Sequence, residues 1–380
     1  MMKQILIALF ICLQMQAYAA SIDNLAQSFM TKNDVKGMSI AVISQNKISI
    51  YNYGYANELK KTPTNNDTIY RVASFSKTYT ATLTAIAAVE KKLNLNEPFT
   101  KYFPDLRNNT NLNKITTSML IGHVSSFPFD FKPTPENYSE MVADLNKFVP
   151  GTPPGSQYGY SNAGIGTAGY VIQNVYAKSY DQILAEKISK PLNLNSTYLN
   201  LPSEKEKYVA LGHDRDNKLR VYDRNIDVWY AASSLKSNIS DMAKFLNAQI
   251  NYASLKNQTL RQAILLMHQN KYCFAGNLAC EQLGWQAHVM SELINSSTSD
   301  SLSNIDSNGN VTFGTQKIIQ NPEFSKNKIF IDKTCGGYGM SGYMLYVPDE
   351  KIGVVILLNR NVGEPRVRLG RDIIQNLSSK

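Results

Sequence analysis

The sequence predicts an α+β protein, an α/β sandwich. One antiparallel sheet is built from both ends of the chain with helices on its faces, and a mostly helical second lobe lies between. Three observations lead there. Strand-like alternation appears near the N-terminus in GMSIAVIS and KISIYNYGYA, and again near the C-terminus in NKIFIDKTC, SGYMLYVP and KIGVVILLN. From Lys77 to about Leu194 helical periodicity takes over. With 380 residues, 43% of them hydrophobic, the chain has enough apolar surface for two packed lobes. The expected division is 20–76 with 210–380 for the sheet domain and 77–209 for the helical one, the active site falling between them.

The elements follow in chain order. Lys3, the apolar run Ile5 to Cys12 and the small-x-small Ala17-Tyr18-Ala19 have the pattern of a secretory signal at 1–19, so a mature chain from Ala20 and a periplasmic location are expected. Cys12 sits inside the apolar run without small residues before it, which argues against a lipoprotein anchor. No later stretch reaches the roughly 18 apolar residues of a membrane span. A helix is expected from Ile22 to Thr31, then a hairpin turning at Gln45-Asn46. TYTATLTAIAAVEKKL, PENYSEMVADLNKFV and NAGIGTAGYVIQNVYA read as helices of the middle lobe. Asn295 to Asn310, crowded with Ser and Asn, reads as a surface loop. The three C-terminal strands turn at Pro348-Asp349-Glu350 and lead to a helix from about Glu364 to Asn376.

Charge and metal-ligand spacing narrow the function classes. The net charge of +9 is spread along the chain and interleaved with acids, which speaks against nucleic-acid binding and suits small anionic substrates. His123, His213, His268 and His288 are scattered singly, so neither a metal nor another cofactor is expected. In an oxidising compartment Cys273 and Cys280 either close a small loop or remain two thiols, and spacing does not choose; Cys335 is left over.

Three stretches have residues suited to chemistry. In RVASFSKTYTAT, Ser74 follows a strand-like run and opens a long helix, where an oxyanion is stabilised, and Lys77 lies one turn on along the same face. A lowered lysine pKa would let it take the serine proton. The bland alternative is an N-cap serine with a solvated lysine, and Ser-x-x-Lys also occurs at Ser44, Ser233 and Ser325. In YGYSNAG, Tyr160 and Asn162 follow a turn-rich segment; a phenol between two ammonium groups is a general base, and an aromatic beside an Asn cap is the alternative. In DKTCGGYG, Lys333 and Thr334 open a Gly-rich strand edge that a ligand can approach, with the Gly336 N–H as a second oxyanion donor. A plain hairpin strand with an exposed lysine is the alternative there.

Taken in order, the three motifs resemble those of serine acyl-transferring enzymes, and nearly the whole mature chain resembles class C serine β-lactamases of the cephalosporinase type. HVSSFP is similar to that family's His-Thr-Ser-Gly-Leu-Pro, EQLGWQ to its Gln-Ala-Leu-Gly-Trp, and SLKSNISDMAKFL to its Val-Lys-Ser-Thr segment. The resemblance implies a periplasmic monomer acting on β-lactam small molecules. Ser74 would form an acyl-enzyme that water hydrolyses, and Lys77 and Tyr160 would share proton transfer. Asn162 would hold the substrate's side-chain amide, Lys333 and Thr334 would face its carboxylate, and Ser74 and Gly336 would form the oxyanion hole. Asn361 and Arg366 resemble outer carboxylate contacts. This chain also departs from the pattern. Cys335 replaces a glycine that is commonly needed because a side chain there would press on the nucleophile helix, Cys being small enough for a slight shift of the strand to take it, and Asp130 stands near a family Gln that contacts substrate. DVWYAASS is longer than the family's loop, leaving Tyr230 in or out of the cleft. A D,D-peptidase or esterase of the same fold, or a non-hydrolytic penicillin sensor, are the alternatives.

Overall fold

The computed structural model describes residues 20–269, 271–274, 279–295, 303–305, 311–313, 315–319, 324 and 326–378. The expected signal segment 1–19 lies outside them, as do 296–302 and 306–310 of the Ser/Asn-rich stretch; within that stretch, Ser303–Ile305 pairs with Val311–Phe313.

The N-terminal hairpin forms as its alternation predicts, from Gly37–Ser44 and Lys47–Asn57. Gln45 and Asn46 have φ of 51° and 62°, the doubly left-handed turn whose twist matches that of the flanking strands. Strand Ile352–Leu358 returns from the far end of the chain to lie beside Gly37–Ser44, Ile40 opposite Ile356. Met340–Val347 and Ile329–Gly337 follow outward, all antiparallel.

Beyond these lie Gln286–Val289, Ala279–Glu281, Tyr272–Phe274 and Thr315–Ile319. The last strand, Gln157–Gly159, comes from the helical lobe and stitches it to the sheet. These pieces are three to five residues long, too short for alternation to register in the sequence. Cys273 and Cys280 face each other on neighbouring strands and are joined as a disulfide, and Cys335 is buried outside any disulfide.

Both faces of the sheet are covered, and the two-residue period decides which side chain goes where. Met38, Ile40 and Val42 pack under the N-terminal helix, residues 20–33, and the C-terminal helix Pro365–Ser378, among Ile22, Phe29, Val367 and Ile373. Ala41 and Ile43 face the other way, into the larger core shared with the helical lobe. Each fully buried Ile or Val there contributes roughly 1.5–3 kcal/mol.

At the centre of the larger core runs helix Ser76–Val89, buried from Ser76 to Ala87. Such a helix must be apolar all round or hide its polar groups. Here Thr80, Thr82 and Thr84 hydroxyls bond back to the carbonyls of Ser76, Thr78 and Thr80. Gly284 lets EQLGWQ approach it closely: its φ is +79°, and a Cβ there would stand 2.6 Å from that of Ala81. Among the described residues no helix is long and apolar enough to cross a membrane.

Candidate active site

Ser74 lies in the short turn Ala73–Phe75 between strand Ile69–Arg71 and the buried helix. It is not a cap. Val72 precedes the turn and Phe75 precedes the helix, and neither end is closed by a side chain. Ala73 has φ +40°, a strained value for a residue with a Cβ, immediately before the serine. Ser74 itself is half-buried.

Lys77, one turn on, is fully buried. Its Nζ donates to Asn162 Oδ1 at 2.7 Å, to the Ala232 carbonyl at 2.9 Å and to Ser74 Oγ at 3.3 Å. Burial holds this amine below its ordinary value and Lys333 adds to the effect, against the pull of Tyr160.

Tyr160 is delivered by the edge strand Gln157–Gly159. Lys77 Nζ and Lys333 Nζ lie 4.8 and 4.9 Å from its ring centroid. Burial works to raise the phenol, but Lys333 and Lys77, with hydrogen bonding to Ser74 and Lys77, outweigh it and bring Tyr160 below its ordinary value. The ring rests on His123, centroids 4.4 Å apart. His123 Nδ1 accepts from the Ser161 backbone N–H at 3.1 Å, fixing the turn that aims the phenol.

The following helix, Asn162–Tyr176, is capped by Ser161, which accepts from the Gly164 N–H at 2.8 Å. The alternative of an Asn cap is thereby removed, and the Asn162 side chain turns inward to Lys77. Its Nδ2 donates to Asp130 Oδ2 at 3.3 Å, so Asp130 reaches the site through Asn162. Burial pushes the Asp130 carboxyl up to about 6, and burial likewise raises Asp227, whose charge acts on it.

Lys333, Thr334 and Gly336 share strand Ile329–Gly337. Lys333 is 5% exposed, which excludes the plain hairpin lysine. A Cβ on Gly337 would lie 4.0 Å from that of Ala73, so the end of the strand abuts the turn that contains Ser74. Asn361 is brought in too: its Oδ1 would meet a Cβ on Gly336 at 3.2 Å.

Two expectations are corrected. Cys335 does not displace the strand, because Gly342 stands opposite it. A Cβ on Gly342 would be 3.1 Å from Cys335 Sγ and 3.0 Å from Phe75, so the missing side chain across the ladder makes the room. Arg366 is no open carboxylate contact. It is buried, with Nε on the Gly342 carbonyl at 3.0 Å and Nη1 on that of Val362 at 2.5 Å, holding backbone together. Tyr230 falls outside the cleft, ringed by Tyr170 and Tyr180, its hydroxyl accepting from Gln173.

Sequence reasoning missed His123, the Ala232 carbonyl and Asp227. HVSSFP and DVWYAASS contain them, yet nothing in either stretch signals an approach to Tyr160, Lys77 or Asp130 from such distances along the chain.

A mixed α/β fold with a serine, a buried lysine and an activated tyrosine at the seam between its lobes defines a class, the serine acyl enzymes. Solved structures narrow it. A class C β-lactamase in complex with cefoxitin superposes with a TM-score of 0.85 at 25% identity, covering 95% of this chain and 99% of its own. A β-lactamase/D-alanine carboxypeptidase from Pseudomonas syringae gives 0.84 at 25%, covering 94% and 99%. In sequence, a β-lactamase of Escherichia coli (strain K12) is 28% identical over 374 residues, 96% of each chain. The chain belongs to the Beta-lactamase family, whose sequence profile matches residues 22–378.

Proposed function

We propose that this protein is a serine β-lactamase of class C type, a periplasmic monomer with a sheet domain of residues 20–76 and 210–380 and a helical domain of residues 77–209. Ser74 Oγ attacks the lactam carbonyl while its proton passes to the Lys77–Tyr160 pair. The two groups titrate as one unit, so the base is the pair. The N–H groups of Ser74 and Gly336 receive the oxyanion. Collapse breaks the lactam C–N bond, the ring nitrogen takes a proton from the pair, and an ester to Ser74 remains. Water attacks that ester, giving its proton to the pair, and Ser74 recovers a proton as the ring-opened acid leaves. Asn162 holds the substrate's side-chain amide beside Asp130, and Lys333 with Thr334 and Asn361 faces its carboxylate.

The observation that carries this reading is the fully buried Lys77, whose Nζ spans Ser74 Oγ and Asn162 Oδ1. The signal-like Lys3, Ile5 to Cys12 and Ala17-Tyr18-Ala19 support export.

A second reading, a D,D-peptidase, is favoured by the Pseudomonas syringae neighbour, a β-lactamase/D-alanine carboxypeptidase. Intact-mass measurement after mixing with benzylpenicillin separates the two. A lactamase has a penicilloyl adduct that clears within seconds as product accumulates. An adduct that persists, together with release of D-alanine from a D-alanyl-D-alanine peptide, would overturn the lactamase reading.

A further inference from the structure

The side-chain amide of Asn162 has two faces, and each has a partner of fixed sign. Oδ1 accepts from Lys77 Nζ at 2.7 Å, and Nδ2 donates to Asp130 Oδ2 at 3.3 Å. An amide nitrogen has two hydrogens, and Asp130 takes one. The second is left for the carbonyl of a substrate's side-chain amide. A flip of Asn162 would set Oδ1 against the Asp130 carboxylate, acceptor to acceptor, and Nδ2 against the Lys77 ammonium, donor to donor.

The two partners do not hold the amide equally through the reaction. An ammonium at Lys77 can only donate, so it demands Oδ1. Once Lys77 has given up a proton it has a lone pair and accepts as well as donates. From then on only an ionised Asp130 distinguishes the two orientations. A protonated Asp130 does not, because its O–H can donate to Oδ1 just as its other oxygen can accept from Nδ2.

The surroundings set the form of Asp130. Burial is the largest influence and raises its carboxyl to about 6, while the Asn162 side chain, Lys77 from the buried helix and Lys132 pull the other way and Asp227 adds to the rise. Tyr338, just past strand Ile329–Gly337, faces the same carboxyl: burial raises its phenol, and the charges of Asp227 and Asp130 add to that. Above about 6 Asp130 is therefore an acceptor only.

We propose that Asp130 is a positioning residue for acylation, holding Asn162 with Nδ2 toward the substrate's side-chain amide while Lys77 is neutral. The role of that amide rests on the lactamase reading. The orientation of Asn162 rests on the two hydrogen bonds.

The test compares acylation by benzylpenicillin, which has a side-chain amide, with acylation by 6-aminopenicillanic acid, which has an amine in its place. Adduct formation is followed by rapid-quench intact mass at pH 8 in wild type, Asp130→Asn, Asn162→Ala and the double variant. The readout is the ratio of the two rates, so general damage to the enzyme cancels. One hydrogen bond to a charged group corresponds to about ten-fold. The ratio is expected to fall by that factor in Asp130→Asn, whose own amide can present either atom to Asn162, and Asp130→Asn should add nothing once Asn162 is replaced. Lowering the pH from 8 to 5 should close the gap between wild type and Asp130→Asn on benzylpenicillin, through about 6, because only wild type has a group there to protonate. An unchanged ratio, or an equal effect of Asp130→Asn with and without Asn162, overturns the proposal. If wild type forms no adduct with either compound, the lactamase reading fails, and the 15N signal of the Asn162 side-chain amide, identified by its loss in Asn162→Ala, decides the positioning role. A titration of that signal near 6 in wild type, gone in Asp130→Asn, supports the role, and a signal that does not move with pH overturns it.

Discussion

Strands Gly37–Ser44 and Ile329–Gly337 belong to one sheet and are both largely buried, but they use burial for opposite ends. The first buries only Gly, Ser and apolar side chains. The second buries Asp332, Lys333 and Cys335 within four positions. Burial of the first kind is the main source of stability, whereas burial of charge is unfavourable and persists where something else is gained. On the second strand two consequences are visible. Burial raises Asp332, but His288 and then Arg371 outweigh it and hold the carboxyl below the usual range. Lys333, on the other side, is the largest of the influences lowering Tyr160. One strand contributes cohesion, and the other places buried charge beside Tyr160 and ends against the turn that holds Ser74.

Removing the buried lysine or the phenol beside it breaks this contrast most severely. Lys77→Ala is expected to slow acylation by at least ~10³-fold, and Tyr160→Phe by roughly 10²–10⁴-fold, in stopped-flow measurements with a chromogenic cephalosporin. Losses below tenfold in both would mean that the pair does not handle the proton.

The pH profile sharpens the point. The pair acts when deprotonated, so kcat/KM rises with pH through its apparent pKa, and with both members lowered that limb lies below their ordinary values of 10.5 and 10.0. Lys333→Ala removes a cation that lowers both groups, so the limb should move to higher pH. A limb that stays in place would remove Lys333 from the electrostatics.

Glu281, fully buried on a short strand of the same sheet, supplies a stability counterpart. Burial, against the pull of Lys333, raises its carboxyl to about 8 from an ordinary 4.5. A raised carboxyl contributes its stability fully below pH 4.5 and loses it as pH rises through 8. Glu281→Gln should therefore gain on wild type as pH climbs from 5 toward 8, by up to ~3 kcal/mol in urea melts. A pH-independent difference would mean that Glu281 titrates alike in both states.

Smaller effects are expected at the accommodating pair of the ladder. Gly342→Ala places a Cβ 2.6 Å from the Ile356 carbonyl and should cost about 1–3 kcal/mol. Cys335→Gly, opposite it, should alter acylation less than about threefold, because the thiol already has room. A large acceleration in Cys335→Gly would restore the idea that the thiol presses on the nucleophile helix.

What the sequence made legible follows from range. Long alternating runs and a two-residue Gln45-Asn46 turn define the hairpin and the C-terminal strands locally, and Ser74, Lys77, Tyr160 and Lys333 stand in short motifs whose order is informative. The edge strand that brings in Tyr160 has three residues and no such pattern. The contact of Lys77 with the Ala232 carbonyl spans 155 positions and uses a backbone atom that every residue has, so composition cannot announce it. Arg366 was misplaced for a related reason: an arginine at the start of the C-terminal helix resembles an outer carboxylate contact until the carbonyls of Gly342 and Val362 are found around it. The surroundings of Cys335 were not legible because the residue that makes room for it, Gly342, lies across a ladder and is invisible along the chain.

The most direct measurement of the central claim is turnover of a chromogenic cephalosporin by the chain from Ala20 onward, beside Ser74→Ala with matched circular dichroism. Sustained hydrolysis in wild type, reduced by at least ~10³-fold in the variant, is the predicted result. Equal turnover in both proteins, or a single burst equal to the enzyme concentration in wild type, would contradict it.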